Sequence, residues 1–189
     1  MPPVMYELSI PIACPSKGSL RSFGGSRMTV DMHASEIKVV EEMVRLRFRS
    51  KYPGVTPKKD TKFGVFAILV WPHRDSDYSR SKKSTGVPVA SYASYKGTTP
   101  DADKCMRTVL DAMAGLVYEN DSRVVFQASV KVYGQKPRIL IFCREVIRDG
   151  NREQIAGFVH GIATWFSDFE RREAAIIAGE LAVDRHIES

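Results

Sequence analysis

Residues 99–125 read TPDADKCMRTVLDAMAGLVYENDSRVV, and this stretch decides the fold, because a helix, a turn and a strand meet there with most of the chemistry. Pro100 and Asp101 are helix-start residues, since proline presets φ and a carboxylate accepts hydrogen bonds from first-turn amides. Ala102, Met106, Val109, Leu110, Met113 and Val117 recur at steps of three and four, which puts them on one apolar helix face. Asp103, Arg107 and Asp111 step by four along a flank of that face. Gly115 loosens the helix end, and Asn120-Asp121 is turn chemistry ahead of an alternating strand. If that turn folds back, Asp121 returns beside Asp101 and Asp103 at the helix start.

Carboxylates crowded together raise one another's pKa unless something positive is shared among them. A hard cation that prefers oxygen, Mg²⁺ or Mn²⁺, resolves the conflict. Arg107, one turn beyond Asp103, then supplies a fixed donor for a phosphate oxygen. Taken singly, Asp101 reads as a helix cap, Asp103 as a partner of the helix dipole and Asp121 as a turn residue. Their combination with Arg107 points to metal and phosphate.

The run PDADKCMRTVLDAMAGLVYENDSRVV resembles the core of the RusA-type Holliday junction resolvases. Their usual pattern is P-D-x-D-N, a Lys three residues after the Asn, then L-D-A-L-x-G and a turn reading D-D-x-Q-V-V. Pro100, Asp101, Asp103, Leu110, Asp111, Ala112, Gly115, Asp121 and Val124 fit it. Lys104 stands where Asn is usual, Arg107 for the catalytic Lys, Asn120 for the first turn Asp and Arg123 for Gln. The resemblance weakens upstream and ends near Arg144. It implies a metal-dependent endodeoxyribonuclease that resolves four-way DNA junctions by paired symmetric nicks, as a homodimer with one site for each of two symmetry-related phosphates. Asp101, Asp103, Asp121 and Arg107 are then catalytic. The three aspartates hold Mg²⁺ (with Mn²⁺ substituting), and Lys104 stands beside the site; Asp111, one turn from Arg107, either orients it, the preferred reading, or merely caps the charge ladder. No small-molecule cofactor is implied.

Pattern and resemblance together lead to an α/β (α+β) fold: a two-layer domain with a four-stranded mixed sheet, two core helices and an extra helical tail. Residues 1–145 form the nuclease domain, with a basic insertion at 73–99, and residues 146–189 form a helical extension. Val4 to Ile12 suits a short edge strand. Pro15-Ser16-Lys17-Gly18, with Arg21, Gly24-Gly25 and Arg27, reads as a flexible basic loop, either solvated or touching phosphates. Met32 to Arg49 is a helix with Ile37, Val40, Val44 and Phe48 as its buried stripe, opened by an exposed or capping His33. Phe63 to Trp71, FGVFAILVW, is apolar throughout and should be a central strand filled on both faces, with Trp71 as core or rim packing.

In the insertion, Arg74, Arg80, Lys82, Lys83 and Lys96 interleave with Tyr78, Tyr92 and Tyr95. That is a mobile surface loop or a track for a DNA backbone with bases to stack on. Its Asp75-Ser76-Asp77 lacks a following helix and reads as loop chemistry. Val124 to Val132 alternates, as a strand with one wet face does, and Gly134-Gln135-Lys136-Pro137 suggests an antiparallel hairpin into Arg138 to Cys143. From Asn151 to about Val183 an apolar stripe marks one or two helices that pack on the sheet or on a second subunit.

A net charge of +6 over 189 residues, with a pI near 9.3, favours a polyanionic partner. Three cysteines, Cys14, Cys105 and Cys143, cannot all pair, which suits a reducing compartment. With no leader or membrane-spanning run, a cytoplasmic location is expected. Three other functions fit parts of the sequence. One is a junction- or DNA-binding dimer without catalysis, and another a nuclease acting on forks, flaps or RNA. The third is a small-molecule phosphohydrolase, whose acids would follow a strand instead of starting a helix.

Overall fold

A computed structural model describes residues 4–17, 20–22, 29–31, 33–73, 95–146 and 152–177. Along the chain come β1 (Met5–Ile10), β2 (Leu20–Ser22), β3 (Thr29–Asp31), α1 (Ala34–Lys51), β4 (Lys62–Pro72), α2 (Ala102–Met113), β5 (Val124–Gly134), β6 (Arg138–Val146) and α3 (Arg152–Ile177). Four strands form a mixed sheet in the order β1-β6-β4-β5, with β4 and β5 parallel and the other pairs antiparallel. The architecture is the expected α+β one.

Central β4 explains the layering. Its residues Phe63, Val65, Ala67 and Leu69 enter one core with α1, α2, β1 and β6, whereas Ile68 and Val70 enter a second with Leu140, Phe142, Phe158 and Ile162. Successive strand residues point to opposite faces, so a continuous apolar run demands cover on both. The expected α1 stripe of Ile37, Val40, Val44 and Phe48 is buried. Among the described residues of the tail, Arg152–Ile177 form a single helix, which docks on the sheet's second face through Phe158 and Ile162.

That docking depends on Gly64, where an added Cβ would lie 3.1 Å from the Phe158 ring. Gly64→Val should therefore lever α3 from the sheet and cost about 1–3 kcal/mol, the usual range for overpacking. A thermal melt of the variant, matched within experimental error to wild type, would refute this seat for the tail.

Two expectations need correcting. β5 and β6 do not form a hairpin: Gly134 lies opposite Pro72 and Arg138 opposite Val70, so residues 135–137 cross the end of β4, which separates the two strands. The reason is burial. β4 and β6 are apolar on both faces and take the interior positions, while half-exposed β5 goes to the edge. The basic loop, in turn, is partly ordered, since β2 and β3 pair with Arg21 opposite Val30. Strands of three residues are too short to show a period. Arg27, Arg74, Arg80, Lys82 and Lys83 lie outside the described residues, as does Asp75-Ser76-Asp77. Among the described residues, no helix is long and apolar enough to cross a membrane.

Candidate active site at the start of α2

Between β4 and β5 the chain crosses over through α2, so α2 begins beyond the ends of these parallel strands and runs back along the sheet. Its start is fixed from two sides. Lys131 on β5 donates two hydrogen bonds of 2.7 Å, to the Thr98 and Pro100 carbonyls. Lys96 hydrogen-bonds the Lys131 carbonyl through its own amide at 3.1 Å, and Tyr95 forms a β-bridge with Val132. This covers part of β5's free edge. From the other side, Cys14, Pro15 and Ser16 are buried against α2. The Thr108 hydroxyl donates to the Pro15 carbonyl at 3.2 Å, and the Lys17 amide reaches the Lys104 carbonyl at 3.4 Å. Cys14 and Cys105 meet in this seam. Each thiol donates to the other residue's carbonyl, Cys14 at 3.6 Å and Cys105 at 3.9 Å. The interaction with the neighbouring Cys105 thiol, followed by burial, raises the Cys14 pKa, and the same interaction lowers that of Cys105.

Asp101 occupies the N-cap position of α2 without making a side-chain cap bond. Its carboxylate instead pairs with Lys104, Oδ2 to Nζ at 3.1 Å, in an exposed contact that contributes little to stability. Asp103 and Arg107 are exposed on the first and second turns, and neither makes an ion pair among the described residues. The helix N-terminus attracts both aspartates' negative charge.

The expected link from Asp111 to Arg107 is absent: Asp111 pairs with Lys17 at 2.5 Å, and Glu41 lies 3.9 Å from the same ammonium. A cation four residues ahead of a carboxylate is the weaker helical order, and Lys17 arrives already anchored by the 14–17 seam. Lys17, expected to touch DNA, is thus engaged in the fold. So is Lys96, whose ammonium hydrogen-bonds the Thr98 hydroxyl and lies 5.5 Å from the Trp71 ring centre and 5.6 Å from that of Tyr133.

Asp121 does not return to the helix start. It opens a 3-10 turn leading into β5, where Val124 pairs with Phe63 at the beginning of β4; Lys131, which reaches Pro100, pairs with Leu69 near the far end. Tyr118, close to Asp121, hydrogen-bonds the Leu110 carbonyl at 2.9 Å near the last turn of α2. Burial, with Cys143 and then Asp121 and Asp111 adding negative potential, raises the Tyr118 pKa. The 12 residues of α2 span ~18 Å, and that length separates Asp121 from Asp101 and Asp103. Gly115 lets the chain turn sharply at this end, at φ +75°, its amide bonding the Tyr118 carbonyl at 2.8 Å. Among the described residues no three His, Cys, Asp or Glu side chains converge as a metal site. Asp101 and Asp103 still fit a hard cation, because Mg²⁺ is commonly held by one or two carboxylates with water and phosphate completing the shell.

Lys131 is the residue the sequence did not single out. On an alternating strand it reads as one more polar side chain on the wet face; its reach to two carbonyls ahead of Asp101 depends on the sheet. Lys131→Met should free the 98–100 segment, with a loss of ~1–3 kcal/mol for two charge-assisted bonds at a partly exposed site. Hydrogen exchange at residues 96–103 should rise well above its rise in the α1 helix. Uniform exchange across both would show that Lys131 does not hold the segment.

Residues 17–144, more than half of the 189-residue chain, match the family described as endodeoxyribonuclease RusA. The chain belongs to the RusA endodeoxyribonuclease family. It is also similar to a protein of Bacillus subtilis (strain 168) described as uncharacterized protein YqaN, at 41% identity over 49 residues. That match covers 26% of this chain and 34% of the relative.

Proposed function

We propose that the protein is a metal-dependent endodeoxyribonuclease that resolves four-way DNA junctions by paired nicks, working as a homodimer in the cytoplasm. The observation that carries this reading is the exposed D-x-D at the start of α2, in a chain of an endodeoxyribonuclease family. Asp101 and Asp103 would hold Mg²⁺ or Mn²⁺. A metal held there would supply Lewis acidity toward the scissile phosphate and toward an attacking water. Arg107, one turn on, offers planar guanidinium donors to a phosphate oxygen and offsets the charge that develops on it. Lys104 steadies Asp101, and Lys131 and Lys96 fix the segment from which both acids project. Asp121 lies a helix length away in its own chain, and we place it in the site of the other copy: two-fold pairing would bring Asp121 of the partner subunit to Asp101 and Asp103.

The test is cleavage of a labelled synthetic junction with Mg²⁺ or Mn²⁺, beside matched duplex and fork. Paired nicks confined to the junction support the reading. Equal cutting of fork and junction would make the protein a general branch nuclease, and tight binding without nicks a binding module. With a net charge of +6, junction affinity should fall steeply with salt, each neutralised phosphate adding about −0.9 to the log–log slope. A flat salt dependence would remove DNA as the partner.

A further inference from the structure

Beside Asp101 an open cleft of about 420 Å³ enters the molecule between the 13–16 seam, the start of α1 and the end of β4. Ser16, His33, Glu36, Trp71 and Thr99 line it, and Asp101 and Lys104 lie at its walls. Catalysis as proposed above leaves most of these residues without a task. We propose that the cleft is a receptor for one unpaired nucleobase of the bound DNA, with Trp71 as its stacking surface; this rests on the reading of the chain as a junction nuclease.

The walls select that occupant. The volume lies at the small end of ligand pockets, too narrow for a duplex and ample for a single base. Trp71 is half-buried, packs on the main core, which holds it in place, and is one of the residues lining the cleft. Lys96 lies 5.5 Å from that ring without lining the cleft, and further fixes the indole. The cleft is also lined by short polar groups, the Ser16 and Thr99 hydroxyls and the His33 imidazole, which pairs with Glu36 through Nδ1 at 2.9 Å. Groups of this kind can hydrogen-bond the edge of a base.

A free anion is a poor alternative. Among the described residues the cleft presents the carboxylates of Glu36 and Asp101, while the Lys104 ammonium is paired with Asp101 at 3.1 Å and the His33 imidazole with Glu36 at 2.9 Å. A neutral, flat, hydrogen-bonding group meets no such opposition. Its neighbour in the strand would then lie at the D-x-D, so a base taken from the stack would set which phosphate reaches Asp101 and Asp103.

The test uses the full-length protein and a junction bound in Ca²⁺, a metal chosen to let DNA bind without being cut. Mapping the nicks in Mg²⁺ first locates the scissile bond; an abasic residue then replaces each flanking nucleotide in turn. At one position the abasic junction should bind wild type about tenfold more weakly, the order of one lost base–aromatic stack. Trp71→Leu should bind the intact junction that much more weakly and be blind to the abasic change. Because Trp71 also touches the core, Ala13→Phe, which adds bulk at another residue lining the cleft, repeats the measurement. No abasic effect in wild type, or an equal one in both variants, on a junction that is still cut, overturns the cleft and leaves the nuclease standing. Should the junction be neither bound nor cut, the nuclease reading fails. The cleft is then judged by tryptophan fluorescence with a short single-stranded oligonucleotide, and unquenched emission at saturating oligonucleotide overturns it.

Discussion

Asp103→Asn should abolish junction cleavage, lowering the single-turnover rate about a thousandfold or more while leaving junction binding intact. The substitution keeps the shape of the side chain and removes one charge from the carboxylate pair proposed to hold the metal. A metal's Lewis acidity and its activation of water are worth several kcal/mol of transition-state stabilisation, and each 1.36 kcal/mol is about tenfold in rate. The fold should hardly notice. Asp103 is exposed and makes no ion pair among the described residues, so the cost is its attraction to the helix N-terminus, about 0.3–1 kcal/mol. Binding should if anything tighten, because a negative charge has left the surface proposed to face DNA. The measurement is a rate at saturating protein and Mg²⁺, with a melting curve as control. A well-folded Asp103→Asn that cuts within tenfold of wild type would falsify the assignment of the D-x-D as the metal-binding pair.

Cleavage should reappear when two inactive proteins, Asp103→Asn and Asp121→Asn, are mixed and allowed to exchange subunits. In one chain the two residues stand at opposite ends of α2, separated by its 12 residues. If each site combines Asp101 and Asp103 of one copy with Asp121 of the other, a mixed dimer has one intact site and one carrying both substitutions. Half of randomly paired dimers are mixed, so about a quarter of all sites should be restored. A dimer with one live site can nick only one strand, so the product should be nicked junctions and few resolved ones. If the chain bent to gather all three acids within one subunit, every site in a mixed dimer would be defective. The mixture would then stay as inactive as its parts. Activity in Asp121→Asn alone would remove Asp121 from the site altogether.

Local information carried much of this molecule. The α1 stripe, the two-faced β4, the D-x-D at a helix start and Gly115 at the helix end are written in spacings of two, three and four residues. The structure shows each of them in place. Their physics acts over one or two turns of chain, where side-chain periodicity and capping leave few choices.

What tertiary structure decided is of another kind. A turn at Gly134-Gln135-Lys136-Pro137 is equally compatible with pairing β5 to β6 and with stepping over β4. The burial demands of β4 and β6 settle it, and these are a property of the whole sheet. Asp111 could be expected to orient Arg107 from helix spacing alone, yet Lys17, 94 residues away in sequence, takes its carboxylate. Lys131 looks like any polar residue on a wet strand until the crossover brings Thr98 and Pro100 under its ammonium. The candidate residues for the chemistry were legible along the chain, because charge, size and local period belong to single residues and their near neighbours. Which of them stand together followed from the parallel β4–α2–β5 crossover, whose helix sets Asp121 a full helix length from Asp101 and Asp103, since only packing of distant segments fixes where a helix begins and ends in space.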